Sequence, residues 1–266
     1  MINGVVNVRW NPRVKSITTD ELEPDSEDES GRINNFGDLL GPIIVGRLTD
    51  SLSPPDSTPP ARLLSVGSIA HFSRSGDVVW GSGVNGKIPV DKITSERLDV
   101  RAVRGPISQR LLRGLGHTVP DVYGDPALLL PTLFPESREW AKAKLFGLTI
   151  VPNLNDLDIF DLTDTEVVSP QLPVWDVIRR IAHSEFVIGS SLHAIIVAEA
   201  YGVPARALAS TRENRLKYDD YYEGTSRTGI VIAENREHAL ALGPVPPGET
   251  DLMSLLAAFP TDMWGS

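Results

Sequence analysis

Short apolar runs alternate with longer, partly polar stretches along the whole chain. The apolar runs have the length and the bounding turn residues of buried strands, and they lie at residues 5–10, 62–66, 77–80, 98–103, 122–123, 148–151, 166–169, 186–188, 206–209 and 230–233. Helical patterns separate many of them, at residues 39–48, 107–113, 137–146, 175–183, 192–201 and 251–259. Strands that alternate with helices predict an α/β fold with doubly wound parallel sheets.

The segment 186–204 is the clearest strand–turn–helix unit in the sequence. Its apolar strand ends at Gly189, Ser190 and Ser191 are good residues for the start of a helix, and Gly202 and Pro204 end that helix. His193 then falls in the first helical turn, at the carboxyl end of a strand, where open parallel sheets bind ligands and helix N–H groups attract anions. A capping or packed histidine is the alternative interpretation.

Small and charged residues follow other predicted strands. Gly81, Ser82 and Gly83 come after the strand at 77–80, and successive N–H groups in such a turn can form a nest for an anion, although plain turns have the same composition. Arg104 ends the strand at 98–103 and could equally be a salt-bridging surface residue.

Three polar or small residues precede the first helical pattern. Asn35, Gly37 and Asp38 crowd the junction between a loop and the helix at 39–48, in which Pro42 is expected in the first turn. Capping of the helix by Asn35 or Asp38 is the competing interpretation.

The chain divides most simply near its middle. Residues 131–135 resemble a seam, which predicts an amino-terminal Rossmann-like domain at 1–132 and a carboxy-terminal one at 133–266 that carries the His193 helix, with the two domains facing a cleft. Asp, Glu and Ser dominate residues 20–31, a composition typical of a mobile, solvated loop.

Composition narrows the function classes. The 266 residues carry a net charge of −10, which argues against a nucleic-acid partner, and they contain no cysteine, so disulfides and thiolate metal sites are excluded. The histidines form no short-spaced ligand pair, so no metal site is expected. No apolar run reaches the ~20 residues that span a bilayer, so we expect a cytoplasmic protein, with peripheral contact at the inner face of the membrane left open.

Several motifs in one order carry a family resemblance. They are Trp10 at the end of the first strand, NNFGDLLGP at 34–42, VWGSGV at 79–84, RAVRGPISQRLL at 101–112, YGDPALLLP at 123–131, LTIVPNLND at 148–156, GSSLHAIIVAEAYGVPA at 189–205 and KYDDYYEGT at 217–225. In this combination the chain resembles the polysaccharide pyruvyl transferase family, and in particular its exopolysaccharide ketal-pyruvyltransferase branch. The resemblance implies a two-domain fold similar to GT-B glycosyltransferases.

The resemblance also implies an activity and a set of site residues. The activity is transfer of the pyruvyl group from phosphoenolpyruvate, a co-substrate, to two hydroxyls of a glycan or lipid-linked sugar, which forms a cyclic ketal; no further cofactor is expected. The family's histidine maps to His193 and its arginine to Arg104, with Ser108 four residues on, and its Asn-x-Gly-Asp loop maps to Asn35, Gly37 and Asp38.

The predicted roles follow from this mapping. His193 and Asp38 are the candidate catalytic residues, and Asn35 and Gly37 are candidates for binding the acceptor. The donor is assigned to Arg104, Ser190, Ser191 and the turn of Gly81, Ser82 and Gly83, because an anionic donor needs cations and oriented N–H groups.

One departure from the family pattern concerns the donor. Many members have arginine where this chain has Ser191. Arg212, Arg215 and Lys217 are candidates for the substitute cation, with a solvated surface as the alternative. Two other functions stay open at this point: a nucleotide-sugar glycosyltransferase on the same scaffold, and a carbohydrate-binding relative that has lost catalysis. The sequence leaves the acceptor sugar and the oligomeric state undecided.

Overall fold

A computed structural model describes residues 1–10, 33–56 and 60–265. The acidic segment 20–31 lies outside the described residues, so its interpretation as a solvated loop stays a prediction. The same holds for any contribution of that segment to the site.

The described chain forms seven strands and eight α-helices. The strands are β1 (Val6–Val8), β2 (Arg62–Leu64), β3 (Val78–Trp80), β4 (Asp99–Ala102), β5 (Phe146–Ile150), β6 (Ser184–Gly189) and β7 (Ala205–Ala207). The helices are α1 (Phe36–Thr49), α2 (Pro106–Gly114), α3 (Leu130–Leu133), α4 (Val174–Ala182), α5 (Leu192–Ala200), α6 (Leu216–Gly224), α7 (Arg236–Leu242) and α8 (Leu252–Ala257). Short 3₁₀ helices lie at Ala70–Phe72, Val90–Lys92, Pro126–Leu129, Pro135–Lys142, Leu154–Ile159 and Thr261–Met263.

The strands form two parallel sheets, which confirms the predicted α/β class. The amino-terminal sheet has the order β1-β2-β3-β4, and a bridge between Val103 and Tyr123 extends it beyond β4. The carboxy-terminal sheet has the order β5-β6-β7. Isolated bridges extend it on both sides, from Ile150 of β5 to Val167 and from Leu208 to Ala233.

The two sheets differ in how the chain winds through them. In the carboxy-terminal sheet the chain goes from β5 to Val167 on one side and then to β6 on the other, so the strand order reverses beside β5. Such a reversal opens a crevice at the carboxyl ends of the two strands. In the amino-terminal sheet the described strands follow one another in sequence, without a reversal, so the predicted doubly wound order is not seen there.

Successive strand residues face opposite sides of each sheet, as the two-residue period of a strand requires. Leu63 and Val78 join the largest apolar cluster, whereas their neighbours Leu64 and Val79 belong to a separate cluster on the other face. The largest cluster also takes in α1, α4 and α5, so helices from both halves of the chain pack into one core between the sheets. Each large apolar side chain buried there contributes about 1.5–3 kcal/mol.

Several predicted element boundaries were wrong. α1 begins at Phe36, three residues earlier than predicted, which puts Pro42 inside the helix instead of in its first turn. The predicted strands at 166–169 and 230–233 each form one bridge, and the helix predicted at 137–146 is a 3₁₀ helix at Pro135–Lys142. Helices α6 and α7 were not predicted, and α6 carries little apolar periodicity.

Among the described residues, no helix has both the length and the apolar character that a membrane crossing needs.

Candidate functional site

A cavity of about 340 Å³ lies where the strands of both sheets end. The first half of the chain lines it with Trp10, Asn35, Asp38, Gly67, Ser68, Ile69, His71, Phe72, Asn85, Lys87 and Ile88. The second half lines it with Asn153, Leu154, Asn155, Ser191, Leu192, His193, Glu213 and Lys217. Its volume is within the range of small-molecule sites, which is about 300–1,000 Å³.

The position of the cavity follows from the topology. Trp10 follows β1, Ser68 follows β2 and Asn85 follows β3, so the amino-terminal sheet presents the carboxyl ends of these strands to the cavity. Asn153 follows β5 and Ser191 follows β6, the two strands beside which the order of the second sheet reverses. Both sheets therefore present to one space the strand ends at which open parallel sheets bind ligands.

His193 lies in the first turn of α5 and reaches the cavity wall. Its Nε2 atom is 3.7 Å from Oδ2 of Asp125, and 16% of its side chain is exposed, whereas that of Asp125 is fully buried. On the other side of the ring is Gly37, where an added Cβ would be 2.4 Å from Nδ1 of His193. Gly37 therefore leaves room for the imidazole, instead of lining the cavity itself.

Asp38, in the first turn of α1, is the second ionisable group at the wall. Burial raises its pKa to about 6, and the charge of His193, the hydrogen bond from Asn35 and the charges of Arg9 and Lys217 limit the rise. Nδ2 of Asn35 donates to Oδ2 of Asp38 at 2.6 Å. A carboxyl group with a pKa of about 6 can take and return a proton near neutral pH.

Two lysines and one glutamate form a charged cluster across the cavity. Glu213 accepts hydrogen bonds from Nζ of Lys87 at 2.7 Å and from Nζ of Lys217 at 3.1 Å, one on each carboxylate oxygen. It also accepts one from Asn155. Burial raises the pKa of Glu213, but Lys217 and the bonds from Lys87 and Asn155 outweigh it and hold that pKa below its usual value.

Lys217 is nearly buried, and burial lowers its pKa, an effect that Glu213 partly offsets. It packs over the ring of Tyr218, with Nζ 5.0 Å from the ring centroid. Of the three cations predicted to substitute for the family arginine, all of them within the described residues, Lys217 alone lines the cavity. Arg212 is engaged by Asp158 at the surface, and Arg215 donates to Asp219 and to the carbonyl of Ile230.

Arg104 lies behind the cavity wall in a buried network. Its Nε donates to Oδ2 of Asp220 at 3.0 Å, and its other nitrogens donate to Oγ of Ser68 at 2.5 Å and to the carbonyl of Val84 at 2.8 Å. Ser108 donates to the same Asp220 oxygen at 2.6 Å. Ser68 thus stands between the guanidinium and the cavity, and a direct contact of Arg104 with a donor stays a prediction.

The remaining predicted residues lie in the supporting wall. Ser191 lines the cavity, whereas Ser190 is buried beneath it, where its Oγ accepts the N–H of Asn153 at 2.9 Å. Ser82 is fully buried and donates to the carbonyl of Gly67 at 3.0 Å. Gly81 and Gly83 pack against Pro126 and the guanidinium of Arg104. The donor-binding roles of these residues stay predictions.

Sequence reasoning missed several charged or polar residues of the site, among them Asp125, Lys87, Glu213 and Asn155. Asp125 had a signal, because Gly-Asp-Pro follows a predicted strand in one of the family motifs. Asn155 had one too, because it lies in the family motif at 148–156, whereas Lys87 and Glu213 gave none, since each lies in a polar loop that also resembles ordinary surface. The fold alone brings Lys87, Glu213 and Asn155 together.

Comparisons with known proteins agree with the motifs. The family model of polysaccharide pyruvyl transferases matches residues 35–212. A curated relative, the succinoglycan biosynthesis protein ExoV of Rhizobium meliloti (strain 1021), is 28% identical over 224 residues, which is 79% of this chain and 68% of that protein. No solved structure matches the chain. The first two findings confirm the resemblance described above.

Proposed function

Because the chain belongs to the polysaccharide pyruvyl transferase family, and so is a transferase, we propose that it moves the pyruvyl group of phosphoenolpyruvate onto two hydroxyls of a glycan sugar. The products are a cyclic ketal and phosphate. The relative named for succinoglycan biosynthesis supports a role in making an exopolysaccharide. The observation that carries the proposal is that His193, Asp38 and Lys217 meet in one cavity.

Positive charge in the cavity supports an anionic donor. Phosphoenolpyruvate carries a phosphate and a carboxylate, and burying such groups without compensation costs several kcal/mol. Lys87 and Lys217 come from opposite halves of the chain and point at one position, now taken by the carboxylate of Glu213. Ser191 at the start of α5 adds helix N–H groups. In this proposal Lys217 substitutes for the arginine that the family pattern has at position 191.

The acid–base groups support a closed cycle of proton transfers. His193, as imidazolium, donates a proton to the methylene carbon of the donor, while ionised Asp38 takes the proton of the first sugar hydroxyl as that oxygen bonds to the cationic carbon. Asp38 returns this proton to the departing phosphate. The second hydroxyl closes the ring, and its proton restores the imidazolium. One hydroxyl proton thus replaces the one given to the new methyl group, and the other leaves with phosphate.

The acceptor is assigned to the side of the cavity formed by α1. Asn35 there donates a hydrogen bond to the carboxylate of Asp38, and in this proposal its side-chain amide oxygen orients a hydroxyl. Trp10 and Phe72 add apolar surface to the same half of the cavity. The division into domains at 1–132 and 133–266, similar to a GT-B arrangement, is part of the same proposal.

The test is incubation with phosphoenolpyruvate and a panel of galactosides, glucosides and mannosides, free and lipid-linked. We expect a product with the mass of a pyruvyl ketal and one released phosphate for each ketal formed. Thermal stabilisation by a nucleoside diphosphate, without stabilisation by phosphoenolpyruvate, would favour a glycosyltransferase. Sugar binding without a product from either donor would favour a relative that has lost catalysis.

His193→Ala tests the centre of the proposal. We expect kcat for phosphate release to fall about 10²- to 10⁴-fold, the usual contribution of a general acid or base. The matched control is His238→Ala, because His238 lies on α7 outside the cavity lining. Unchanged turnover in His193→Ala would remove this residue from the chemistry.

A further inference from the structure

Asp125 is a buried carboxylate that these proton transfers do not use. It precedes the 3₁₀ helix Pro126–Leu129, and its Oδ1 accepts the N–H of Ala127 at 3.0 Å. Its Oδ2 is sealed from solvent and has no hydrogen-bond partner among the described residues. A buried carboxylate oxygen left in this state is costly, so the nearest donor decides what Asp125 does.

The nearest donor is the imidazole of His193. Nε2 of that ring is 3.7 Å from Oδ2 of Asp125, and it too is sealed from solvent and without a hydrogen-bond partner in the described part of the chain. The separation is longer than an ordinary hydrogen bond, but such bonds at reaction centres are often long without substrate and shorten when it binds. A proton on Nε2 satisfies both atoms at once.

The other side of the ring faces the cavity. Because Nε2 is sealed, the exposed 16% of the His193 side chain belongs to the rest of the imidazole and its Cβ. Nδ1 lies beside Gly37, which precedes Asp38 in α1, and the charges of Asp38 and His193 interact. Two carboxylates therefore interact with the imidazole: Asp125 at Nε2, and Asp38 through its charge.

We infer that Asp125 is the positioning residue for His193: it accepts the Nε2–H, so that Nδ1 is the atom that exchanges a proton with the substrates. The negative charge of Asp125 also stabilises the imidazolium. The kinetic part of this inference rests on the proposed pyruvyl transfer, whereas the assignment of the ring proton does not.

The wall of the cavity holds Asp125 in place. Pro126 restricts the backbone next to it, and Gly81, at φ +84°, packs so closely that an added Cβ would be 2.3 Å from Cδ of Pro126. Through this contact the predicted turn of Gly81, Ser82 and Gly83 has a supporting role. Gly81 packs against Pro126, which restricts the backbone at Asp125 and so the direction of its side chain.

The test is ¹⁵N NMR of the full chain with labelled histidine, with the His193 signals identified by their loss in His193→Gln. In the wild type, above the titration of the ring, we expect the proton on Nε2 and none on Nδ1. Asp125→Asn keeps an oxygen for the N–H of Ala127 but places an NH₂ group against Nε2, so the proton should move to Nδ1. A wild-type ring protonated on Nδ1, or no change in Asp125→Asn, would overturn the inference.

Kinetics separate this inference from the proposed function. In Asp125→Asn we expect kcat to fall about 10²- to 10⁴-fold with the donor KM changed less than about twofold. The control is Asp121→Asn, since Asp121 is an exposed aspartate nearby in the sequence that pairs with Arg113. If Asp125→Asn transfers pyruvate with unchanged kcat, the positioning role of Asp125 is wrong and the proposed function stands. If the ring protons are as expected but no acceptor gives a product, the proposed function alone is wrong. If Asp125→Asn fails to fold, the wild-type spectrum still decides.

Discussion

Two buried charged clusters lie side by side at the strand ends, and they differ in how well their polar groups are satisfied. In the Arg104 cluster, the guanidinium and the Asp220 carboxylate are bonded to each other, to Ser68 and Ser108, and to the backbone. In the His193 cluster, Nε2 and the facing oxygen of Asp125 have no hydrogen-bond partner among the described residues, and Asp38 has a pKa of about 6.

This difference in hydrogen bonding indicates that one cluster supports the fold and that the other is the candidate for binding and chemistry. A fully bonded buried ion pair fixes how α2 and α6 pack, because removing either partner leaves an uncompensated charge. Buried groups with hydrogen bonds unmet are unfavourable for stability, and such groups concentrate where proteins bind ligands and do chemistry. The sequence motifs predicted Arg104, His193 and Asp38 as site residues; the bonding pattern favours a supporting role for Arg104 and makes the His193 cluster the candidate for the chemistry.

The largest expected effect is on the supporting cluster. Arg104→Met should lower the free energy of unfolding by about 3–5 kcal/mol, since it leaves the Asp220 charge buried and unpaired. Urea denaturation measures it. The control is Arg110→Met, which breaks an exposed pair with Glu223 between the same two helices and should cost about 0–1 kcal/mol. A stable Arg104→Met protein with a raised donor KM would instead make Arg104 a donor ligand.

The next prediction concerns Asp38 in the His193 cluster, where a substitution should raise the free energy of unfolding instead of lowering it. The pKa of Asp38 is raised by burial, so the folded state holds the proton more tightly than the unfolded state, and stability is lost as pH rises from about 4 to about 6. Asp38→Asn removes this loss and should stabilise the protein at pH 7.5 by about 3 kcal/mol at most, with no gain below pH 4. Melting curves across this range measure the difference.

Asp262→Asn is the contrast for that measurement. Hydrogen bonds from Arg101 lower the pKa of Asp262, so its stabilising contribution is present at neutral pH and lost on acidification. The substitution should therefore destabilise at pH 7.5. Equal effects of the two substitutions would contradict the assignment of Asp38 to a strained, reacting cluster.

Substitutions of one glycine in each cluster should have smaller effects on stability and turnover. An added Cβ at Gly105 would be 1.8 Å from the backbone oxygen of Asp220, whereas at Gly37 it would be 2.4 Å from a side-chain atom of His193. Gly105→Ala should destabilise the fold by about 1–3 kcal/mol or more, because backbone does not rotate away. Gly37→Ala should fold normally but turn the imidazole, and lower kcat by up to about 10²-fold. Denaturation and turnover, measured on both proteins, check the pair; the reverse pattern would refute it.

The smallest effect is a shift in a pH profile. The hydrogen bond from Asn35 lowers the pKa of Asp38, so Asn35→Ala should raise that pKa and move the acid limb of kcat/KM to higher pH, by about one unit or less. Asn34→Ala is the control, because Asn34 is exposed and bonds the carbonyls of Gln171 and Leu172. An unmoved limb in Asn35→Ala would mean that Asp38 does not set it.

Much of the architecture was predictable because strands with both faces buried leave continuous apolar runs. The α/β class, the helix that carries His193 and the end of its preceding strand at Gly189 all follow from such local signals. The helix at Leu216–Gly224 was missed because its buried face consists largely of tyrosine, lysine and aspartate, which no apolar period reveals.

Site residues could be predicted only where one continuous sequence motif contains them. His193, Asp38 and Asn35 lie in motifs that order polar residues next to a helix start, and the structure brings all three to the cavity. Pairings between distant segments left no local trace: Asp125 with His193, Arg104 with Asp220, and Lys87 with Glu213 each join residues far apart in the chain. Their partners depend on how the two sheets are stacked.

The core shared by α1 and α5 limits how the enzyme can move. Both helices contribute side chains of their first turns to the cavity and bury apolar residues of their remaining turns in the same cluster. Swinging the two sheets apart would expose that cluster to water, at a cost far above what a small donor can repay on binding. In the proposed function, substrate entry and product exit would therefore depend on loops and side chains at the rim, while the shared core holds the imidazole in place.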